Sequence, residues 1–307
     1  MRNLLTVRGR LARRGFTMIE LLVALVLLGL VSAAIYRVLV NNQRLYMAQT
    51  QRIDLSQNIR AAATILPAEF RELDAFDGDI AFMSPTQLDI RAMRWLSFVC
   101  VPPALDGNNL GKQMIIRGGV VGEPMYFGSR GIREFTDSLL IYLDGNQTIR
   151  TDDYYVPGRI AATPGKQDCP PVGAVAAQPG TRIIFDGNFL FGTNIAGAIT
   201  LGAPVRGFER VTYRLYQPAG DTSWYIGLQP SNQTIQPLIG PVLANGLTFQ
   251  YFNAAGAVTA IRTQVARIDI TVRARTAAPV RAGGQAPLRP IVDSVVTSVA
   301  LRNNRRF

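Results

Sequence analysis

Few residues in this sequence are equipped for chemistry, and their spacing narrows what they can do. There is no histidine, which removes Ser-His-Asp and Cys-His nucleophile systems and every histidine-containing zinc site. No glycine-rich phosphate loop is followed by a lysine. Ile116-Arg-Gly118-Gly119-Val-Val-Gly122 lacks the G-x-G-x-x-G spacing and reads as a turn between strands. Asp74, Asp77 and Asp79 are spaced like oxygen ligands of a calcium ion. No later glutamate completes an EF-hand loop, so an acidic turn closing a helix is the plainer reading. Asp152-Asp153 is a weaker version of the same pattern. Cys100 and Cys169 are too few for a structural zinc site, but in an oxidising compartment two leftover thiols usually pair. The expectation is a protein without enzymatic activity, cofactor or resident metal.

One group is out of place. Glu20 is the only charge between Phe16 and Tyr36, in a run otherwise apolar or uncharged. A carboxylate there costs about 2–3 kcal/mol on insertion scales, less near the edge, and marks a functional site by default. As a helix, residues 16–36 span roughly 31 Å, against about 30 Å for a bilayer's hydrocarbon core. Five arginines (Arg2, Arg8, Arg10, Arg13 and Arg14) precede the run, and no acid does. The positive-inside rule keeps that leader in the cytoplasm and sends the C-terminal bulk across. A stop-transfer anchor explains the run but neither Gly15 nor Glu20. A secretory signal peptide cut near Val31-Ser32-Ala33 has to tolerate the carboxylate. A buried helix of a soluble enzyme fits neither the arginine asymmetry nor the length.

Gly15-Phe16-Thr17-Met18-Ile19-Glu20-Leu21-Leu22-Val23-Ala24 resembles the N-terminus of type IV prepilins and pseudopilins. In that family a membrane peptidase cuts after the glycine and methylates the new N-terminal residue. The resemblance implies a cut between Gly15 and Phe16, methylation of Phe16, and Glu20 as the fifth residue of the mature chain. There it is placed to pair with the Phe16 ammonium during assembly. It also implies the partners: the prepilin peptidase, an inner-membrane assembly platform, and other pilins or pseudopilins met through the N-terminal helix. The location implied is the inner membrane, crossed once with the globular domain outside the cytoplasm, and then a pilus or pseudopilus.

The elements that position these groups follow from periodicity. Leu55, Ile59, Ala62, Leu66, Phe70 and Leu73 recur at helical spacing, opposite Arg52, Asp54, Gln57, Arg60 and Arg71. The membrane helix is therefore expected to continue over residues 37–77 as an amphipathic rod, with Pro67 kinking it or starting a new turn. Residues 78–307 read as a β-rich domain. Strands are expected at 87–93, 95–101 and 138–143, and a long Pro/Gly/Ala loop at 157–180 around Cys169. Residues 210–216 and 223–228 form a hairpin, and strands follow at 247–252, 267–273 and 291–301. Trp224, Tyr225, Tyr251 and Phe252 lie on strands and read as core and sheet-face aromatics. Each later strand has one apolar face, so the fold class is α+β: an antiparallel sheet covered on one side by the amphipathic helix. A long helix on such a sheet is also what the family resemblance implies. The order of the last strands is similar to minor pilins of the W type, and J-type pseudopilins of type II secretion share the plan.

Losing the leader's five arginines takes the formal charge from +11 to +6, which suits a mixed, soluble surface. Attraction to an acidic partner, nucleic acid included, is left open, as is a role as a pilus-borne adhesin.

Overall fold

The computed structural model describes residues 16–103, 112–118, 127–128, 130–145, 148–149, 152–163, 165–186, 198–281 and 287–302. The leader through Gly15 lies outside them.

Thr17 starts the long helix α1 (Met18–Arg71). Its hydroxyl accepts the Glu20 N–H at 3.3 Å, and Glu20 Oε2 accepts the Thr17 backbone N–H and hydroxyl, each at 3.0 Å. This reciprocal box satisfies N–H groups that the first turn leaves without helical partners. Every residue from 16 to 39 is exposed. Further on, Leu55, Ala62, Leu66, Pro67 and Phe70 are buried along one face. The helix runs through Pro67 rather than restarting there. The ring is itself buried between Leu66 and Phe70, and that packing offsets the backbone hydrogen bond proline cannot make. α1 ends at Arg71, short of the boundary at 77. Asp74 Oδ1 instead draws in the N–H groups of Phe76 (3.0 Å) and Asp77 (3.2 Å), and Gly78 turns the chain at φ +81°, a conformation open to glycine.

Among the described residues twelve antiparallel strands follow: β1 (Ile80–Met83), β2 (Gln87–Val101), β3 (Gln113–Arg117), β4 (Phe127–Gly128), β5 (Asp137–Leu143), β6 (Tyr154–Ala162), β7 (Gly180–Phe185), β8 (Pro204–Tyr216), β9 (Trp224–Pro230), β10 (Gln236–Phe252), β11 (Arg267–Arg275) and β12 (Val292–Ala300). The open part runs β1-β2-β8-β9-β10-β11-β12. Its inward residues, among them Leu88, Ile90, Tyr213, Phe249, Ile268, Ile270, Val272 and Val299, form one core with Leu66 and Phe70 of the helix. This is the expected α+β architecture, a long N-terminal helix packed on an antiparallel sheet.

The sheet also does something the alternating pattern did not announce. β2 pairs with β3, β3 with β7, β7 with β6, β6 with β5, β5 with β8, and β8 returns to β2. Six strands thus close into a small barrel with its own core, including Trp95, Met114, Ile116, Leu139, Ile141, Ile183, Phe185 and Val205. β2 and β8 belong to both parts. Their register slips between Met93 and Trp95, leaving Arg94 as a bulge residue where the pair bends from open sheet into barrel. Gly207 is required at that bend, since a Cβ there would fall 1.8 Å from the Trp95 ring.

The expected loop at 157–180 is partly strand, because β6 runs to Ala162. Pro157 is tolerated there: it pairs with Leu140 on β5, while the β6–β7 pairing begins only at Ile160. The missing N–H thus lies where the ladder on that side is absent.

Candidate functional site: an exposed apolar helix with a capped carboxylate

The groups singled out by sequence fall into three separate places. The first is the free end of α1. Phe16 is 83 % exposed, and the large apolar side chains from Met18 to Leu39 stand free on all sides of the helix. Among the described residues this is the one helix long and apolar enough to cross a membrane. In water such a surface is unfavourable by about 25 cal/mol per Å², so lipid or other helices must cover it. Glu20 sits one turn from the end, its carboxylate folded onto Thr17. In the intact chain the nitrogen of Phe16 is an amide, so a charge pair with Glu20 can form only after cleavage frees an amine. The capping role was legible, since Thr17-x-x-Glu20 before an apolar run is the sequence signature of the box. Gly15 lies outside the described residues.

The second place is the helix-to-barrel junction. Asp74, Asp77 and Asp79 lie here, but they do not converge on a shared point. Asp79 is fully buried, its carboxylate 3.9 Å from Arg91 and 3.6 Å from Arg206, and it accepts the Asp74 N–H at 2.9 Å. Arg91 also donates to the Asp77 carbonyl at 3.1 Å. Two guanidinium groups facing the same carboxylate oppose a cation there, and no described group of three or more acidic, histidine or cysteine side chains suits a metal ion. Burial pushes the pKa of Asp74 and of Asp79 above the ordinary aspartate range, against the Asp77 and Phe76 N–H bonds at Asp74 and against the Asp74 N–H, Arg206 and Arg91 at Asp79.

Beside this turn Arg94 is redirected by the bulge. It spans Glu69 of α1 (3.0 Å) and Glu209 of β8 (3.2 Å). Arg130 joins Glu209 (3.0 Å) to the fully buried Asp137 (2.6 Å), and Asp137 also accepts Trp95 Nε1 at 3.3 Å and the Arg133 N–H at 2.9 Å. This chain of charges ties the helix to both sheet parts. An open cleft of about 760 Å³ adjoins it, lined by residues including Glu72, Asp77, Phe127, Tyr142, Tyr155 and Arg206. The Tyr142 hydroxyl is pushed up to about 12 by its hydrogen bond to Asp153. Arg94 and Arg206, which line the cleft, are both engaged in ion pairs.

The third place is the disulfide between Cys100 and Cys169, with Cα atoms 5.6 Å apart. It ties the end of β2 to the segment between β6 and β7, next to Ile115. Of the strand aromatics, Tyr251 is buried and donates its hydroxyl to the Ser84 carbonyl at 2.9 Å. Trp224 packs against the helix-side core, Tyr225 bonds Asp221 at 2.9 Å, and Phe252 lies 4.0 Å under the Arg267 guanidinium.

Residues 10–36 match a family model described as the prokaryotic N-terminal methylation motif. The match spans Arg10, Arg13, Arg14, Gly15, Phe16 and Glu20, and supports a type IV pilin- or pseudopilin-like protein. No curated protein and no solved structure matches the chain.

Proposed function

We propose that this chain is a non-enzymatic minor subunit of a type IV pilus, one that primes or caps filament assembly. The observation that carries the reading is the free end of α1, an apolar rod exposed from residue 16 to 39 with one carboxylate a turn from its tip. Such a rod needs apolar cover at both stages of a filament subunit's life, lipid before assembly and neighbouring helices after it. Cleavage between Gly15 and Phe16 removes the leader arginines and frees an amine that keeps its positive charge when methylated. Moving from lipid into a helix bundle then replaces one apolar contact with another, while the Phe16 ammonium and the Glu20 carboxylate neutralise each other. The peptidase and the assembly platform supply cleavage and work. The amphipathic half of α1, fixed to the sheet through Phe70 and the Arg94 bridge, transmits the position of the bundle to the globular domain.

The J-type pseudopilin of type II secretion shares the architecture and is told apart by neighbouring genes. A surface-binding subunit, an adhesin or DNA-capture module, is a second reading with its own observation. β8 and β11 present Arg210, Arg214, Arg273 and Arg275 alternately with buried residues, and none of these four pairs with a described carboxylate. Duplex DNA binding that falls steeply with salt favours that role, and binding indifferent to salt removes it.

The assembly reading is tested at its first step. Gly15→Val should accumulate as an uncut precursor, heavier than the wild-type chain by the whole leader and confined to the membrane fraction. Efficient processing of Gly15→Val contradicts the reading.

A further inference from the structure

The last strand leaves half of its backbone unused. Thr276 donates to the Ile291 carbonyl at 2.9 Å, and Leu301 donates to the Ala266 carbonyl at 2.9 Å. Odd-numbered residues of this segment therefore face β11. Successive backbone groups of a strand point to opposite sides, so even-numbered residues face the outer edge. Two neighbours agree with that parity. The Arg302 N–H turns away from β11 to the Arg71 carbonyl at 2.9 Å, and the Ser294 N–H is taken by the Asp293 side chain at 2.8 Å. Between them the N–H groups of Val296, Ser298 and Ala300 have no partner among the described residues.

Sheet edges of this kind are usually blunted by lysine, proline, a bulge or a short strand. β12 has none of these. Its register with β11 is unbroken from Val292 to Ala300, its one charge is Asp293, and Val292 and Val296 are 49 % and 66 % exposed. β1, at the other end of the open sheet, is short and has its Ala81 carbonyl taken by Arg262.

We infer that the open edge of β12 takes an extended strand from the neighbouring subunit in the filament, adding to the sheet across the subunit boundary. The occupant follows from continuity. β12 lies against α1, with Ala278 bound to Gln51 at 3.0 Å near its start and Arg302 bound to Arg71 at its end. The strand thus runs alongside the amphipathic half of the helix whose other half a neighbour must cover. A subunit packed along α1 meets this edge, and main-chain hydrogen bonding asks of it only an extended segment with small or β-branched outward residues. The inference rests on the assembly reading above.

The test uses the full chain in cells that assemble filaments. A photo-crosslinking residue at position 298 should form an adduct, in sheared filaments, with an extended segment of another subunit that carries a methylated N-terminus. A second probe at position 27 reads helix packing independently. Val296→Pro removes an outward N–H without touching the β11 ladder, and Val296→Lys keeps the backbone while placing a charge at the edge. Both should abolish the 298 adduct and leave the melting temperature within a few degrees. Amide exchange over residues 292–300 should slow by about tenfold or more from detergent-solubilised chain to filament. The edge inference is overturned, with the helix reading intact, if position 27 crosslinks to a subunit while 298 reacts only with its own chain or lipid. Equal exchange in filament and detergent overturns it as well. If neither position finds a subunit, both readings fall together.

Discussion

Glu20→Ala should leave the chain in the membrane and still cut after Gly15, yet exclude it from filaments. Insertion improves slightly, because a carboxylate leaves an otherwise apolar segment. Cleavage persists, since the peptidase's main demand is on the glycine. Assembly fails because the Phe16 ammonium enters a low-dielectric helix bundle without a counter-charge, and an unpaired buried charge costs several kcal/mol. At 1.4 kcal/mol per factor of ten, that is a fall of about a hundredfold or more in incorporation. The capping box supplies a rival cause, since alanine also loses the bonds to Thr17, worth about 1 kcal/mol at a helix start. Glu20→Gln separates the two. Glutamine serves the box as well as glutamate does but carries no charge, so it should fail nearly as badly as alanine. Glu20→Asp restores the charge on a shorter stem and recovers part of the incorporation. Immunoblots of sheared filaments against membranes read all three variants. Wild-type incorporation of Glu20→Ala removes the charge-pair mechanism, and rescue by glutamine hands the effect to capping. A subunit at the filament tip has fewer neighbours, so its loss is milder than that of a subunit embedded along the shaft.

Removing the disulfide with Cys100→Ser and Cys169→Ser together should cost about 4 kcal/mol in the chain-entropy model, for a sequence separation of 69. The segment closed by the bond contains β3, β5 and β6, half of the barrel wall. The helix-side core, built from α1 and the strands outside that segment, is not crosslinked by it. The melting temperature should therefore fall by roughly 10 °C, with the loss concentrated in the barrel. Thermal scans of the full chain in detergent, with and without reductant, should reproduce the shift in the wild type. Thiol labelling of unreduced, denatured chain should find none free. Equal melting temperatures in the two scans, or two labelled thiols per chain, contradict the account.

What could be read in advance depended on whether the signal was local. The later strands were legible because Val211, Tyr213, Ile268, Ile270 and Val272 alternate with arginine, aspartate or threonine, and one covered face is all they need. The barrel was not. Leu139, Leu140, Ile141 and Leu143 of β5 are all buried, which erases the alternation, and ring closure depends on β2 meeting β8 across more than a hundred residues. The charge network failed for the same reason, since Arg94 finds Glu209 only through a bulge no composition announces. Asp74, Asp77 and Asp79 look like a cation site because their carboxylates are adjacent in sequence, whereas Arg91 and Arg206 come from distant strands. The functional end of α1 needed no tertiary information. Its length, its one carboxylate and the arginines before it are properties of a linear run, and a membrane or a filament reads them in that form.

The central claim is that this chain matures by a cut before Phe16 and enters an assembly through the helix so exposed. Intact-mass and N-terminal peptide mass spectrometry of the wild-type protein from its native membrane or filament tests it most directly. The account predicts a single mature chain beginning at Phe16 with a methylated amine, five leader arginines lighter in charge than the precursor. A chain beginning near Ala33 or Ala34, or one that retains the leader, contradicts it.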